Sequence, residues 1–136
     1  MAKSSLKSPP IQQGKNFSVN TDNSSTNPYK PLFSLEHLQP NYCISDCTKE
    51  QKAALADALR KRGKMTWNEI IQAHKHGLGT EKIAQHAIKA PMPKDITPDT
   101  NLIALRFDGK AAMVGRRDGR VFIVYWIDHN FTLYDH

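Results

Sequence analysis

The sequence lacks any apolar segment close to the roughly 20 residues that a membrane-spanning helix needs. Its N-terminus also lacks the continuous apolar stretch of a secretory signal peptide. We therefore expect a soluble, cytoplasmic protein that does not act at a membrane.

Cysteine is scarce, with Cys43 and Cys47 as the only two in the chain. A disulfide between them is not expected in a cytosolic protein. A Cys-x3-Cys pair supplies only part of a structural zinc site, although His37 lies nearby. Buried thiols are the simpler interpretation, and the sequence predicts no metal and no cofactor.

The length and composition predict one folded domain preceded by a tail. With 136 residues and 39% hydrophobic content, the chain has enough apolar residues for a single core. Residues 1–28 are mostly Ser, Asn, Lys, Gln, Pro and Thr without apolar periodicity, which predicts a disordered tail. A single α+β domain is expected over residues 29–136. The net charge of +6 favours polyanionic partners or an acidic protein partner.

Two capping boxes predict helices in the first half of this domain. In each box a Thr hydroxyl accepts an orphan N–H, and a side chain three residues later reaches back. The boxes are Thr48 with Gln51 and Thr66 with Glu69. We expect the first helix to end near Gly63 and the second at Gly77, with a short third turn or helix after them.

The last part of the sequence predicts four short strands. Glycine supplies positive φ in turns, and Asp or Asn bonds its own backbone, so three turn signals divide residues 102–136. The expected strands are Leu102–Phe107, Ala111–Arg117, Val121–Ile127 and Phe131–His136, with turns at Asp108-Gly109, Asp118-Gly119 and Asp128-His129-Asn130. The predicted fold class is α+β, with N-terminal helices packed on one face of a C-terminal, mainly antiparallel four-stranded sheet.

The other face of such a sheet would collect polar side chains suited to RNA cleavage. The expected catalytic residues are Arg106, Arg116, Tyr134 and His136. Guanidinium groups hold phosphate with paired hydrogen bonds, and imidazole exchanges protons near neutral pH. Tyrosine stacks on a base or donates a proton. Base, acid and cations together meet the needs of RNA cleavage without a metal.

Further basic residues of the sheet are expected to bind the substrate. These are Lys110, Arg117 and Arg120. Each site assignment competes with a simpler interpretation. Strand arginines near turns are commonly solvated, and a terminal histidine such as His136 is often frayed.

Four segments resemble the RelE/ParE-like toxins of bacterial toxin–antitoxin systems, in particular the RelE/HigB type. They are Ile103–Phe107, Met113–Arg116, Val121–Asp128 and Leu133–His136. RelE-type members are ribosome-dependent mRNA endoribonucleases with strand Arg and Lys residues and a C-terminal Tyr or His. The resemblance implies a growth-inhibiting RelE-like toxin of a type II system, an mRNA interferase whose partners are mRNA, the ribosome and a cognate antitoxin protein.

The chain also departs from that pattern. Its tail is long, and the segment 77–98 is an insertion relative to the compact toxin pattern. Asp128 and Asp135 lie close to the proposed phosphate site, where a carboxylate repels phosphate or orients His136. ParE-type members lack the nuclease residues and act on gyrase, so the fold alone does not choose an activity.

Two non-enzymatic alternatives remain open from the sequence. Residues 67–83 hold two helical signals around Gly77-Leu78-Gly79, which resembles a helix-turn-helix of a nucleic-acid-binding module. A protein-interaction module would instead use an open sheet edge or an apolar helix surface.

Overall fold

The computed structural model describes residues 23–136, in which two α-helices and five strands follow one another along the chain. The helices are α1 (Lys49–Gly63) and α2 (Trp67–Gln72). The strands are β1 (Leu32–Ser34), β2 (Glu81–Ile83), β3 (Leu102–Asp108), β4 (Ala111–Asp118) and β5 (Val121–Asp128). Short 3-10 helices cover Ser24–Thr26, Ile44–Asp46 and Gln85–Ala87.

All five strands form one mixed sheet with the order β1-β5-β4-β3-β2. The pairs β2 to β3, β3 to β4 and β4 to β5 are antiparallel, whereas β1 runs parallel to β5. The predicted α+β class is confirmed. The predicted four-stranded sheet is not, because two short strands from the first part of the domain extend the three-stranded meander at both edges.

The local signals at hairpins and helix starts are confirmed. Gly109 and Gly119 adopt φ of +59° and +62° in the turns that join β3, β4 and β5. At α1 the Thr48 hydroxyl accepts from the Gln51 N–H at 3.1 Å, and the Gln51 side chain accepts from the Thr48 N–H at 2.9 Å. A matching capping box opens α2.

The predictions for the segment after α2 are wrong in two places. The second helix ends at Gln72 and not at Gly77, because Ala73 is already extended with ψ of 159°. The third turn or helix is the strand β2, whose residues pair with Leu102–Ala104 of β3. The helix-turn-helix interpretation therefore loses its second helix, since pairing with a distant strand overrides the local preference.

The predicted fourth strand, Phe131–His136, does not form. The Oδ1 atom of Asp128 accepts the backbone N–H of Thr132 at 3.0 Å and of Leu133 at 3.1 Å. Those two donors are thus unavailable to a strand ladder.

Apolar side chains cover both faces of the sheet. On one face α1 and α2 contribute Leu55, Ala58, Trp67 and Ile70 to a core with residues of β3, β4 and β5. On the opposite face, called the second face below, two segments join a separate core. The connector between β2 and β3 (residues 84–101) contributes Ile96, and the C-terminal segment after β5 (residues 129–136) contributes Leu133. The sequence predicted a polar second face. In the structure, apolar side chains from the residues between β2 and β3 and from the residues after β5 cover it instead.

The beginning of the described chain packs on the sheet. Of the predicted tail 1–28, residues 1–22 lie outside the described residues. The remainder includes Asn23 and Asn27, whose side-chain oxygens accept hydrogen bonds from the Gly119 N–H and from Arg117. No helix in the described part of the chain is long and apolar enough to cross a membrane.

Gly115 of β4 lies opposite a bulge in β5, where there is no room for a side chain. The register shifts between Val114 and Gly115. A Cβ added at Gly115 would lie 1.9 Å from the Ile123 carbonyl oxygen, which is backbone and cannot rotate away.

We predict that Gly115→Ala lowers the free energy of unfolding by about 2–4 kcal/mol, because the sheet must distort to accept a methyl group. Gly63→Ala is the control, since a Cβ there meets nothing within 4 Å. It should raise stability by about 0.5–1 kcal/mol at a helical position. Urea unfolding followed by circular dichroism measures both, and equal stabilities of the two variants would contradict the account.

Candidate active site

A buried carboxylate at the end of β5 organises the C-terminal residues. Asp128 is fully buried, and its Oδ1 already accepts two backbone N–H groups. Its Oδ2 lies 2.7 Å from Nε2 of His136. An ionised carboxylate only accepts hydrogen bonds, so Nε2 is the donor in this contact, and in the neutral form of the imidazole Nδ1 carries the lone pair. Within residues 23–136, Nδ1 has no hydrogen-bond partner.

The His136 ring is held between two aromatic side chains. Tyr134 stacks on it with centroids 4.2 Å apart, and Phe131 meets it edge-on at 5.4 Å. The side chain is only 8% exposed although the residue as a whole, including the terminal backbone, is exposed. Ring contacts and the Asp128 bond together fix the orientation of the imidazole.

Arg106 lies across the second face from Asp128. Arg106 pairs with Ala112 on β4, and Ala112 pairs with Asp128 on β5. Two strand spacings separate them, which is about 10 Å. The Arg106 side chain is 17% exposed, and its Nη2 lies 3.8 Å from Glu81, a long ion pair. Its buried Nε has no hydrogen-bond partner in the described residues, so the guanidinium keeps an unused donor.

Tyr134 completes the group. Burial raises the pKa of its phenol to about 12, and the charges of Glu81 and Asp128 add to the shift while Arg106 opposes it. The hydroxyl is therefore neutral at physiological pH and acts as a proton donor. It makes no hydrogen bond within residues 23–136. We call Glu81, Arg106, Asp128, Tyr134 and His136 the Asp128 site.

Arg116, the fourth expected catalytic residue, lies elsewhere on the second face. It is four residues along β4 from Ala112, about 13 Å away at the rise of a strand. Its Nε donates to the Tyr125 hydroxyl at 3.0 Å, and its Nη2 lies 3.8 Å from Asp95. The Tyr125 hydroxyl also bonds Asp95, which lowers the pKa of that carboxyl. Arg116 thus belongs to a separate network.

The expected substrate-binding residues are also dispersed. Lys110 is exposed in the turn between β3 and β4. The Arg117 guanidinium stacks 4.1 Å over Trp67 and donates to Asn27 at 2.8 Å, on the helix side of the sheet. Arg120 donates to the Lys30 carbonyl at 2.9 Å. Arg117 and Arg120 therefore hold the start of the described chain.

An open cavity of about 470 Å³ lies near the Arg116 network. Its lining combines cations with the carboxylates Asp95, Asp99 and Asp118. The two arginines that reach it, Arg116 and Arg117, are already bonded within the protein. The Asp128 site is therefore the stronger candidate for binding an anion, because the partly exposed Arg106 guanidinium there is held only by a long ion pair to Glu81.

Sequence reasoning missed Glu81 and left the role of Asp128 open between repelling phosphate and orienting His136. The structure gives Asp128 the orienting contact, whereas Asp135 turns to Lys89 at 2.6 Å. The signal for Asp128 was present, since an acidic residue at a strand end is followed eight residues later by the histidine. Glu81 gave no signal, because β2 was not expected.

Comparisons of this chain with protein-family models, with curated proteins and with solved structures found no match. Function has to be inferred from the geometry of the described residues. Among residues 23–136, no three His, Cys, Asp or Glu side chains group so as to hold a metal ion. Cys43 and Cys47 are free thiols.

We predict that the buried Tyr134 phenol makes stability fall at alkaline pH. Because the folded pKa, about 12, exceeds the ordinary phenol pKa of 10.0, the stabilising contribution is complete below pH 10 and is lost as pH rises through the folded pKa. The loss amounts to about 2–3 kcal/mol. Urea unfolding at a series of pH values should show a shallower alkaline decline for Tyr134→Phe.

The control is Tyr29→Phe, which removes the hydroxyl group of a half-exposed tyrosine beside α2. It should keep the wild-type alkaline slope. Identical slopes for wild type and Tyr134→Phe would show that Tyr134 ionises as easily in the folded chain as in the unfolded one.

Proposed function

We propose that this chain is a toxin of a type II toxin–antitoxin system and cleaves mRNA by acid–base chemistry at the Asp128 site. One observation carries the proposal. Three polar groups without a hydrogen-bond partner in the described residues, the Arg106 guanidinium, the Tyr134 hydroxyl and the His136 Nδ1, lie around the same end of the second face. Together they offer a cation, a proton donor and a base.

The groups suit cleavage by the neighbouring 2′-hydroxyl of RNA. His136 Nδ1 takes the 2′-hydroxyl proton, and Asp128 stabilises the imidazolium that forms. The 2′-oxygen attacks phosphorus, and Arg106 stabilises the charge on the phosphorane oxygens. As the bond to the 5′-oxygen breaks, Tyr134 gives that oxygen a proton and regains one from the imidazolium. The products are a 2′,3′-cyclic phosphate and a 5′-hydroxyl.

The assignment as a toxin draws on the resemblance of segments in β3, β4, β5 and the C-terminal residues to RelE-type sequences. The net charge of +6 also suits mRNA and ribosomal RNA as partners. It suits an acidic antitoxin protein as well. The proposed chemistry places three of the four expected catalytic residues, Arg106, Tyr134 and His136, in one reaction and leaves Arg116 outside it.

We predict that His136→Ala lowers RNA cleavage about 10²–10⁴-fold, through loss of the base. Arg106→Gln should lower it about 10²–10³-fold, through loss of charge stabilisation. The controls are His86→Ala and Arg60→Gln, at exposed positions on the connector and on α1. Cleavage of labelled single-stranded RNA, with and without ribosomes, measures all four.

An all-DNA version of the substrate should remain intact, because it lacks the attacking hydroxyl. Cleavage of that DNA, or 3′-phosphate products without a cyclic intermediate, would contradict the mechanism. Induction of the wild-type chain in bacteria should arrest growth, and induction of His136→Ala should not. Unimpaired growth with wild type would argue against the toxin assignment.

A second prediction separates the role of Asp128 from folding. In Asp128→Asn the amide oxygen still accepts the Thr132 and Leu133 N–H groups, but its NH₂ faces His136 Nε2. The imidazole must then place its proton on Nδ1, which removes the base. Cleavage should fall by about 10²–10⁴-fold in a folded protein. Nitrogen chemical shifts of the His136 ring report the tautomer, and an unchanged tautomer would refute this role.

A protein-interaction role is the second candidate, favoured by apolar exposure at one sheet edge. Leu32 at the start of β1, an edge strand, and Tyr29 just before it are each about half exposed. Such an edge accepts another chain by strand addition. An interaction protein would bind its partner unchanged after His136→Ala and would leave growth and RNA unaffected.

A further inference from the structure

Phe131 has a strained backbone in the turn that carries the Asp128 site. Its φ is +64°, in the left-handed region where a bulky side chain crowds the backbone. Asn41 is the other non-glycine residue with positive φ in the described chain. Asparagine tolerates that conformation and phenylalanine does not, so the neighbouring contacts must hold Phe131 in place.

Those contacts lie on both sides of Phe131. After it, the Asp128 carboxylate holds the backbone of Thr132 and Leu133. Before it, the carbonyl of His129 accepts from Gln51 of α1 at 2.7 Å, and the His129 ring bonds the Asn41 carbonyl at 3.0 Å. The bonds use backbone groups and other side chains. A glycine at position 131 would satisfy the same turn without strain.

The Phe131 ring also contributes little to the core. It is 50% exposed, and its recorded ring contact is the edge-on one with His136. The Phe131 side chain strains the backbone and is half exposed to water. These two properties indicate that the residue is retained for a function other than stabilising the fold. Its position places an apolar ring next to the imidazole proposed to take the 2′-hydroxyl proton.

We propose that Phe131 is the stacking platform for a nucleobase of single-stranded RNA beside the cleaved bond. The inference rests on the proposed function and names the group that recognises its substrate. Every base offers a π-face, so one exposed ring binds single strands without sequence preference. Double-stranded RNA keeps its bases stacked on one another and is excluded. Arg106 would then hold the phosphate next to the stacked base.

The test measures RNA binding in a His136→Ala background, which prevents cleavage and removes the ring that Phe131 touches. A fluorescently labelled single-stranded RNA is the probe. Adding Phe131→Gly should weaken binding about 5- to 100-fold, and adding Phe131→Tyr should not. A 2-aminopurine base at the contact position should lose its quenching with Phe131→Gly. The same glycine should keep or raise the midpoint of thermal unfolding, because it relieves the backbone.

Each outcome bears on a different claim. Equal RNA affinities of the Phe and Gly variants would overturn the platform while leaving the nuclease proposal intact, and the exposed ring would then suit a protein partner. A large loss of thermal stability with Phe131→Gly would make the residue structural and also overturn it. RNA binding that depends on Phe131, in a wild-type chain that cleaves no RNA, would support the platform and refute the nuclease.

Discussion

The buried carboxylate of Asp128 is the group on which the C-terminal part of the molecule depends. A charge without water is costly, so it persists only where donors surround it. Here the donors are two backbone N–H groups of the following turn and the imidazole of His136. One side chain thus ends β5, redirects the chain across the second face and orients the last residue. The fold and the proposed chemistry share this contact.

The way the second face is covered gives the Asp128 site its electrostatic character. Apolar residues of the connector and of the C-terminal segment pack over most of that face. Arg106 and Glu81 remain at its edge, partly removed from water. Electrostatic interactions are stronger where water is excluded. A phosphate between Arg106 and His136 would therefore be stabilised more strongly than a phosphate beside an exposed arginine. The Arg117 guanidinium, by contrast, already stacks on Trp67 and donates to Asn27.

Sequence reasoning succeeded where the determining contacts are local. Capping boxes at Thr48 and Thr66 and glycines at 109 and 119 act within a few residues, and each is found in place. It failed for β2, because a three-residue strand carries little periodicity and is defined by a partner elsewhere in the chain. It named Arg106, Tyr134 and His136 but left open whether Arg106 and His136 share a face, because that depends on the turn after β5, which Asp128 organises.

Departures from local rules gather at the same end of the sheet. The described residues with positive φ other than glycine, Asn41 and Phe131, both belong to the contacts around the turn after β5. The same region holds the buried carboxylate of Asp128 and the unpaired Nε of Arg106, although Arg62 and Trp126 also have a buried nitrogen without a partner in the described residues. Each feature costs folding free energy, and at the opposite end of the sheet Arg117 is fully bonded. Since folded chains tolerate such costs mainly where function requires them, their coincidence at the Asp128 site is the physical case for placing function there.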